Sequence, residues 1–136
     1  MSVAQPMRSR TTGEVETNGT IQPQVGLIEL VHRFVVSPKL ANAGLRNVCD
    51  VSQIARFAPL KSVLKFVVEV EEDVLEAARL AKQAGFSEDR VWVMPEGTDW
   101  ISIALRMGRI APQAIECGVS ISPRLHIGIW GDVRRR

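Results

Sequence analysis

The chain has 136 residues, 46% of them hydrophobic and 24% charged, with a formal net charge of +2. That length carries one domain with a real core and leaves few residues for a second. The balance is that of an ordinary soluble globular protein; the small net charge gives no argument for nucleic acid, and no apolar run approaches the roughly 20 residues that span a bilayer.

Cys49 and Cys117 lie far apart and show no metal-ligand spacing. They suit two free thiols in a reduced, cytoplasmic setting. Residues 1–13 have no periodicity and read as a disordered or unrelated N-terminal segment. They lack the apolar stretch of a signal peptide. Arg8, Arg10 and the tail Arg134-Arg135-Arg136 read as solvated ends rather than binding patches.

Glu14 to Thr20 holds Val15 as its single apolar residue before an Asn-Gly turn, which predicts a strand stub. Val25, Leu27, Ile28, Leu30 and Val31 follow Pro23 and predict a short helix. Phe34-Val35-Val36 reads as a strand buried on both faces, stopped by Pro38 in Ser37-Pro38-Lys39. Asp50, supported by Gln53, is expected to cap a short helix carrying Val51, Ile54 and Ala55.

Residues 63–70 form the clearest strand and 71–84 the clearest helix, with acidic residues in its first turn and Gly85 at its C′ position. Residues 90–94 predict another strand, cut off by Pro95-Glu96-Gly97. Thr98 or Asp99 then caps a helix that Pro112 is expected to break or kink before Gly118. Residues 119–122 and 123–131 predict a final extended segment. Strands alternating with helices argue for an α/β fold with a mostly parallel sheet. No glycine-rich phosphate fingerprint is present.

If the strands are parallel neighbours, three polar tips converge on one edge: 16–20, Ser37-Pro38-Lys39 and Met94-Pro95-Glu96-Gly97. Ligands sit at that edge in parallel α/β sheets. The remaining chemistry-bearing residues read as structural. His32 and His126 lie in apolar contexts, Trp92, Trp100 and Trp130 read as core, and Glu69, Glu71, Glu72 and Asp73 read as a strand exit and helix start.

Five stretches in this order resemble a known family: Val-Glu-Thr-Asn-Gly-Thr (15–20), Val-Val-Ser-Pro-Lys (35–39), Val-Leu-Lys-Phe-Val-Val (63–68), Val-Trp-Val-Met-Pro-Glu-Gly (91–97) and Ser-Pro-Arg-Leu-His-Ile-Gly-Ile-Trp-Gly (122–131). Together they resemble the C-terminal part of the 7-carboxy-7-deazaguanine synthase family, radical S-adenosylmethionine (SAM) enzymes of queuosine and deazapurine biosynthesis. The likeness covers roughly residues 14–133 and leaves 134–136 as a basic tail. It implies a partial radical SAM-type (β/α) barrel with an open sheet edge. It also implies conversion of 6-carboxytetrahydropterin to 7-carboxy-7-deazaguanine with SAM, a [4Fe–4S] cluster and Mg²⁺.

Motif by motif, the resemblance makes Thr17 a substrate contact and Gly19 a SAM contact. It places Ser37, Pro38, Lys39, Met94, Pro95, Glu96 and Gly97 in the SAM site. The family's cluster loop supplies three cysteines, and this sequence has no such loop; the family's magnesium-binding threonine belongs to the same missing part. The implied partner is a separately encoded N-terminal half carrying the cysteines, or a second copy of the chain; lacking the cluster cysteines, the chain alone is expected to be inactive. The alternatives are a catalytically dead remnant or interaction module that keeps a SAM-like ligand edge, and an unrelated small-ligand-binding α/β domain.

Overall fold

A computed structural model describes residues 13–22, 24–43 and 50–123. Five strands, β1 (Glu14–Thr17), β2 (Arg33–Val36), β3 (Ser62–Val68), β4 (Val91–Pro95) and β5 (Ser120–Ile121), form one sheet in the order β1-β2-β3-β4-β5. Every neighbouring pair is parallel. The connections carry the helices α1 (Val25–Leu30), α2 (Val51–Ala55), α3 (Glu71–Gln83) and α4 (Trp100–Cys117). The α/β class and the open parallel sheet are as expected.

Successive strands are spatial neighbours, and crossovers of one hand between such neighbours place their helices on the same side of the sheet. The burial pattern shows that side. Phe34, Val36, Leu64, Phe66, Val68, Val91 and Val93 join Ile54 of α2, Val74, Ala77 and Leu80 of α3, and Ile110 and Ala114 of α4 in one core. The other side chains of the strands, among them Glu14, Glu16, Arg33, Lys65 and Trp92, lie on a face that no described helix covers.

The helix ends obey the capping signals. Asp50 accepts from the N–H and hydroxyl of Ser52, and Asp99 accepts from the N–H and hydroxyl of Ser102. Gly85 follows α3 with φ +90°, as the C′ reading required. At the N-terminal edge Arg90 ties β4 to β3: its guanidinium donates to the carbonyls of Leu60 and Ser62 and lies 4.5 Å from the Phe86 ring centre.

Three expectations are corrected. The last helix runs unbroken from Trp100 to Cys117, through Pro112. The ring and missing N–H fall at an exposed position, where the helix continues around them. Helix α1 forms where expected, without a fully buried residue and with Val25 and Leu30 76% and 82% exposed. Trp92 and Trp100 are exposed rather than core, because Trp92 takes the uncovered face and Trp100 opens α4. His32 is exposed at the start of β2. The expected termini at 1–12 and 134–136, Cys49, and residues 124–131 with His126 and Trp130 lie outside the described residues.

Candidate functional site

Because all strands run one way, their C-terminal ends share one edge. A cavity of about 250 Å³ opens there. Ser37, Pro38, Lys39 and Glu96 line it, joined by Glu69, which the sequence reading took as structural, and by Asn42 and Lys65, which it did not single out. The remaining expected residues sit at the same edge without lining this cavity. Met94 is half-buried, Pro95 is paired with Val68 in the last register of β3 and β4, and Thr17 borders a separate groove beside α1.

Each tip is held by the sheet itself. The Ser37 N–H donates to the Thr17 carbonyl at 2.7 Å, and its hydroxyl donates to the Lys65 carbonyl at 3.0 Å. The Glu96 N–H donates to the Val68 carbonyl at 2.8 Å. Two glycines fit where a side chain would not. Gly19 has φ +83°, and a Cβ there would stand 3.0 Å from both Ile54 and Val36. A Cβ on Gly97 would stand 2.8 Å from Cγ1 of Ile103, so glycine lets the β4 tip lie directly against α4.

Asp73 joins three parts of this edge. Its Oδ2 accepts from the N–H of Glu69 at 2.8 Å, the N–H of Val70 at 3.2 Å and Nδ2 of Asn42 at 2.9 Å. Asn42 also donates to the Val67 carbonyl at 3.3 Å. The β3 exit, the start of α3 and the segment after Lys39 are thereby fixed to one carboxylate.

The charges are unevenly matched. The Glu96 carboxylate is paired with Arg106, which also donates to the Glu96 carbonyl at 2.8 Å. Lys39 and the half-buried Lys65 have no ion pair or side-chain hydrogen bond among the described residues. Lys65 also lines a cavity of about 390 Å³ on the uncovered face, with Glu14, Glu16, Arg33, Trp92 and Ser122. It interrupts an otherwise apolar strand, Val63-Leu64-Lys65-Phe66-Val67, and that interruption was the signal available for it.

Off the cavity, hydrogen bonding lowers three carboxyl pKa values. Ser52 does so for Asp50, Arg109 for Glu71 and Ser102 for Asp99. The Glu71 pair, at 2.8 Å, in turn raises the Arg109 pKa. Cys117 is half-buried at the far end of α4, towards the N-terminal edge of the sheet and away from the cavity. Among the described residues no group of three His, Cys, Asp or Glu is placed to hold a metal ion, and no helix is long and apolar enough to cross a membrane.

No protein-family model matches the chain. The 7-carboxy-7-deazaguanine synthase of Pyrobaculum aerophilum is 37% identical to it over 135 residues, covering 94% of this chain and 56% of that protein. The chain is a relative of the 7-carboxy-7-deazaguanine synthases. The synthase of Halobacterium salinarum is 32% identical over 143 residues, covering 87% of the chain and 54% of that protein. The chain thus spans about half the length of the curated relatives it matches, which accords with a likeness to one part of the family only.

Proposed function

We propose that this chain forms the SAM-holding part of a 7-carboxy-7-deazaguanine synthase, which turns 6-carboxytetrahydropterin into 7-carboxy-7-deazaguanine. One observation carries the reading: the tips of β2 and β4 bring Ser37, Pro38, Lys39 and Glu96 onto one cavity at the C-terminal edge of a parallel sheet. The neighbouring chemistry suits a zwitterionic nucleoside ligand. Lys39 and Lys65 offer cations to a carboxylate, Glu69 offers an anion to an ammonium group, and the Glu96 carboxylate accepts from ribose hydroxyls.

The cavity lies just below the roughly 300–1,000 Å³ of small-molecule pockets, so it takes part of such a ligand. Five parallel strands in sequential order with the described helices on one face make the wall of a partial (β/α) barrel. The uncovered face, with Lys65 and Trp92, is then its lumen and faces the pterin substrate, while Thr17, a substrate contact by resemblance, lies on the other side of β1 in the groove beside α1. When bound beside its cluster, SAM supplies the radical-generating chemistry of this family. The residues here do not fit that cluster: the sequence has two cysteines and the family's loop uses three. No catalytic step is therefore assigned to this chain alone. A cysteine-bearing second part completes the site and pairs with the open edge of β1.

Titration of SAM by calorimetry, with ATP and adenosine as comparators, tests the binding half of this reading. The chain mixed with the portion of the P. aerophilum synthase outside the match binds SAM, and binds it at least tenfold more tightly than the chain alone. Equal affinity for SAM and ATP in that mixture refutes it.

A second reading has its own support. Glu96 is already neutralised by Arg106, and the Ser37 hydroxyl is already spent on the Lys65 carbonyl. A catalytically dead module that keeps the edge and its fold would look like this, and it predicts no SAM binding in any mixture.

A further inference from the structure

Lys65 is the one charged residue of β3. Leu64 and Phe66 on either side of it turn into the core, so the pleat sends Lys65 to the uncovered face of the sheet. A lysine is a poor choice for the middle of an apolar strand, where valine and isoleucine pack better. Its main chain is well held: the carbonyl accepts the Ser37 hydroxyl at 3.0 Å, and the register sets it beside Trp92 on β4.

Two cavities meet at this side chain. The edge cavity of about 250 Å³ and the cavity of about 390 Å³ on the uncovered face share Lys65 and no other lining residue. The edge cavity has a second cation in Lys39. On the uncovered face Arg33 is taken by Glu14, which leaves Lys65 as the cation without an ion pair among that cavity's lining residues. Glu16 is the matching unpaired anion.

The two charges are well separated. Glu16 stands two strands from Lys65 and, through the register with Val35 and Val63, two residues lower. At about 4.8 Å per strand and about 3.3 Å per residue, their Cα atoms are roughly 12 Å apart. Val35 and Val63 make an apolar floor between them, and Trp92 flanks Lys65. Such a floor suits a flat heterocycle that carries a single carboxylate. The anionic end goes to Lys65 and is repelled from Glu16.

We propose that Lys65 is a positioning residue for the pterin: its ammonium group holds the carboxylate on C6 while the ring lies against Trp92. The assignment rests on the reading above that the uncovered face receives the pterin. The SAM carboxylate keeps Lys39. Because Lys65 borders both cavities, the carbon that bears the carboxylate becomes the part of the pterin nearest to SAM. A pterin without that carboxylate has nothing to turn it the same way.

The test titrates the full chain, followed by fluorescence, with pterin-6-carboxylate and with pterin itself, which lacks the carboxylate. The wild-type chain binds pterin-6-carboxylate about tenfold more tightly, as one charge-assisted contact provides. Lys65→Gln brings the two ligands to equal affinity, and Lys65→Arg, which keeps a cation, restores the preference. Trp92→Ala weakens both ligands alike and leaves their ratio unchanged. Lys82→Gln, on the helix side of the sheet, alters neither. Circular dichroism of each variant checks the fold, and the wild-type comparison of the two pterins is decisive even where a variant does not fold. Failure to bind either pterin, equal binding of both by the wild-type chain, or a preference that survives in Lys65→Gln overturns the proposal. The titration needs neither SAM nor a second part. SAM binding in the mixture without pterin discrimination therefore removes this assignment alone, and discrimination without SAM binding removes only the SAM-holding reading.

Discussion

Replacing Asp73 by alanine tests how the ligand edge is held together. The carboxylate is 8% exposed and accepts three hydrogen bonds, from the N–H groups of Glu69 and Val70 and from Asn42. Hydrogen bonds to a charged group contribute about 1.5–3 kcal/mol each. Glu69 and Val70 are half-buried, so water replaces part of what their N–H groups lose, and about 1 kcal/mol apiece is the appropriate figure. The carboxylate also sits in the first turn of α3, worth about 0.3–1 kcal/mol against the helix dipole. Asn42 is exposed, so water replaces most of its bond and it adds a few tenths, for a sum of about 3 kcal/mol. With an unfolding entropy of about 2.1 cal/mol/K per residue, a chain of 136 residues then loses about 10 °C in Tm. Urea unfolding followed by circular dichroism reads the free energy, and calorimetry reads Tm. Asp73→Asn, which keeps an acceptor and the shape, loses about half as much. A loss under 1 kcal/mol for Asp73→Ala would show that the β3 exit, α3 and the Asn42 segment are not joined through this side chain.

Phe66→Ala empties a fully buried position in the central strand and costs about 3–5 kcal/mol by urea unfolding. Glu96→Gln removes a pair whose side chains are 34% and 41% exposed, so stability changes by less than about 1 kcal/mol, while SAM affinity in the completed enzyme falls severalfold. A Glu96→Gln protein that binds SAM normally would remove this residue from the site. Asp50, Glu71 and Asp99 have folded pKa values below their ordinary 3.8, 4.5 and 3.8. Their contribution is therefore full above about pH 4.5 and is lost as pH falls through the folded values. Urea midpoints between pH 2 and 6 show that acid loss, and Glu71→Gln reduces it.

Much of the fold could be read from residue order. Apolar β-branched runs closed by Pro38 and Pro95, and a 71–84 helix with acids at its start and Gly85 at its end, are local signals, and the structure follows them. The parallel sheet followed from the alternation of strands and helices. What the sequence hid was which strand face is covered. Val63 and Val67 look as apolar as Leu64 yet are half-buried and exposed, whereas Phe34, Val35 and Val36 are buried as expected; the cavity beneath Lys65 and Trp92 went unseen. Pro112 does not end α4, because one lost N–H leaves the other hydrogen bonds of the helix to carry it on. At the candidate site, residues adjacent in sequence to the tips were legible, whereas Asn42, Lys65 and Glu69 reach the cavity through tertiary packing.

The central claim is that this chain is the SAM-holding part of a deazaguanine synthase and needs a cysteine-bearing part to work. The direct measurement is product formation in an anaerobic mixture of the chain with that part of the P. aerophilum synthase, reconstituted with iron and sulfide and supplied with SAM, Mg²⁺ and 6-carboxytetrahydropterin. The account predicts 7-carboxy-7-deazaguanine from the mixture and none from either part alone. A mixture that forms a stable complex, carries its cluster and still yields no product would contradict it.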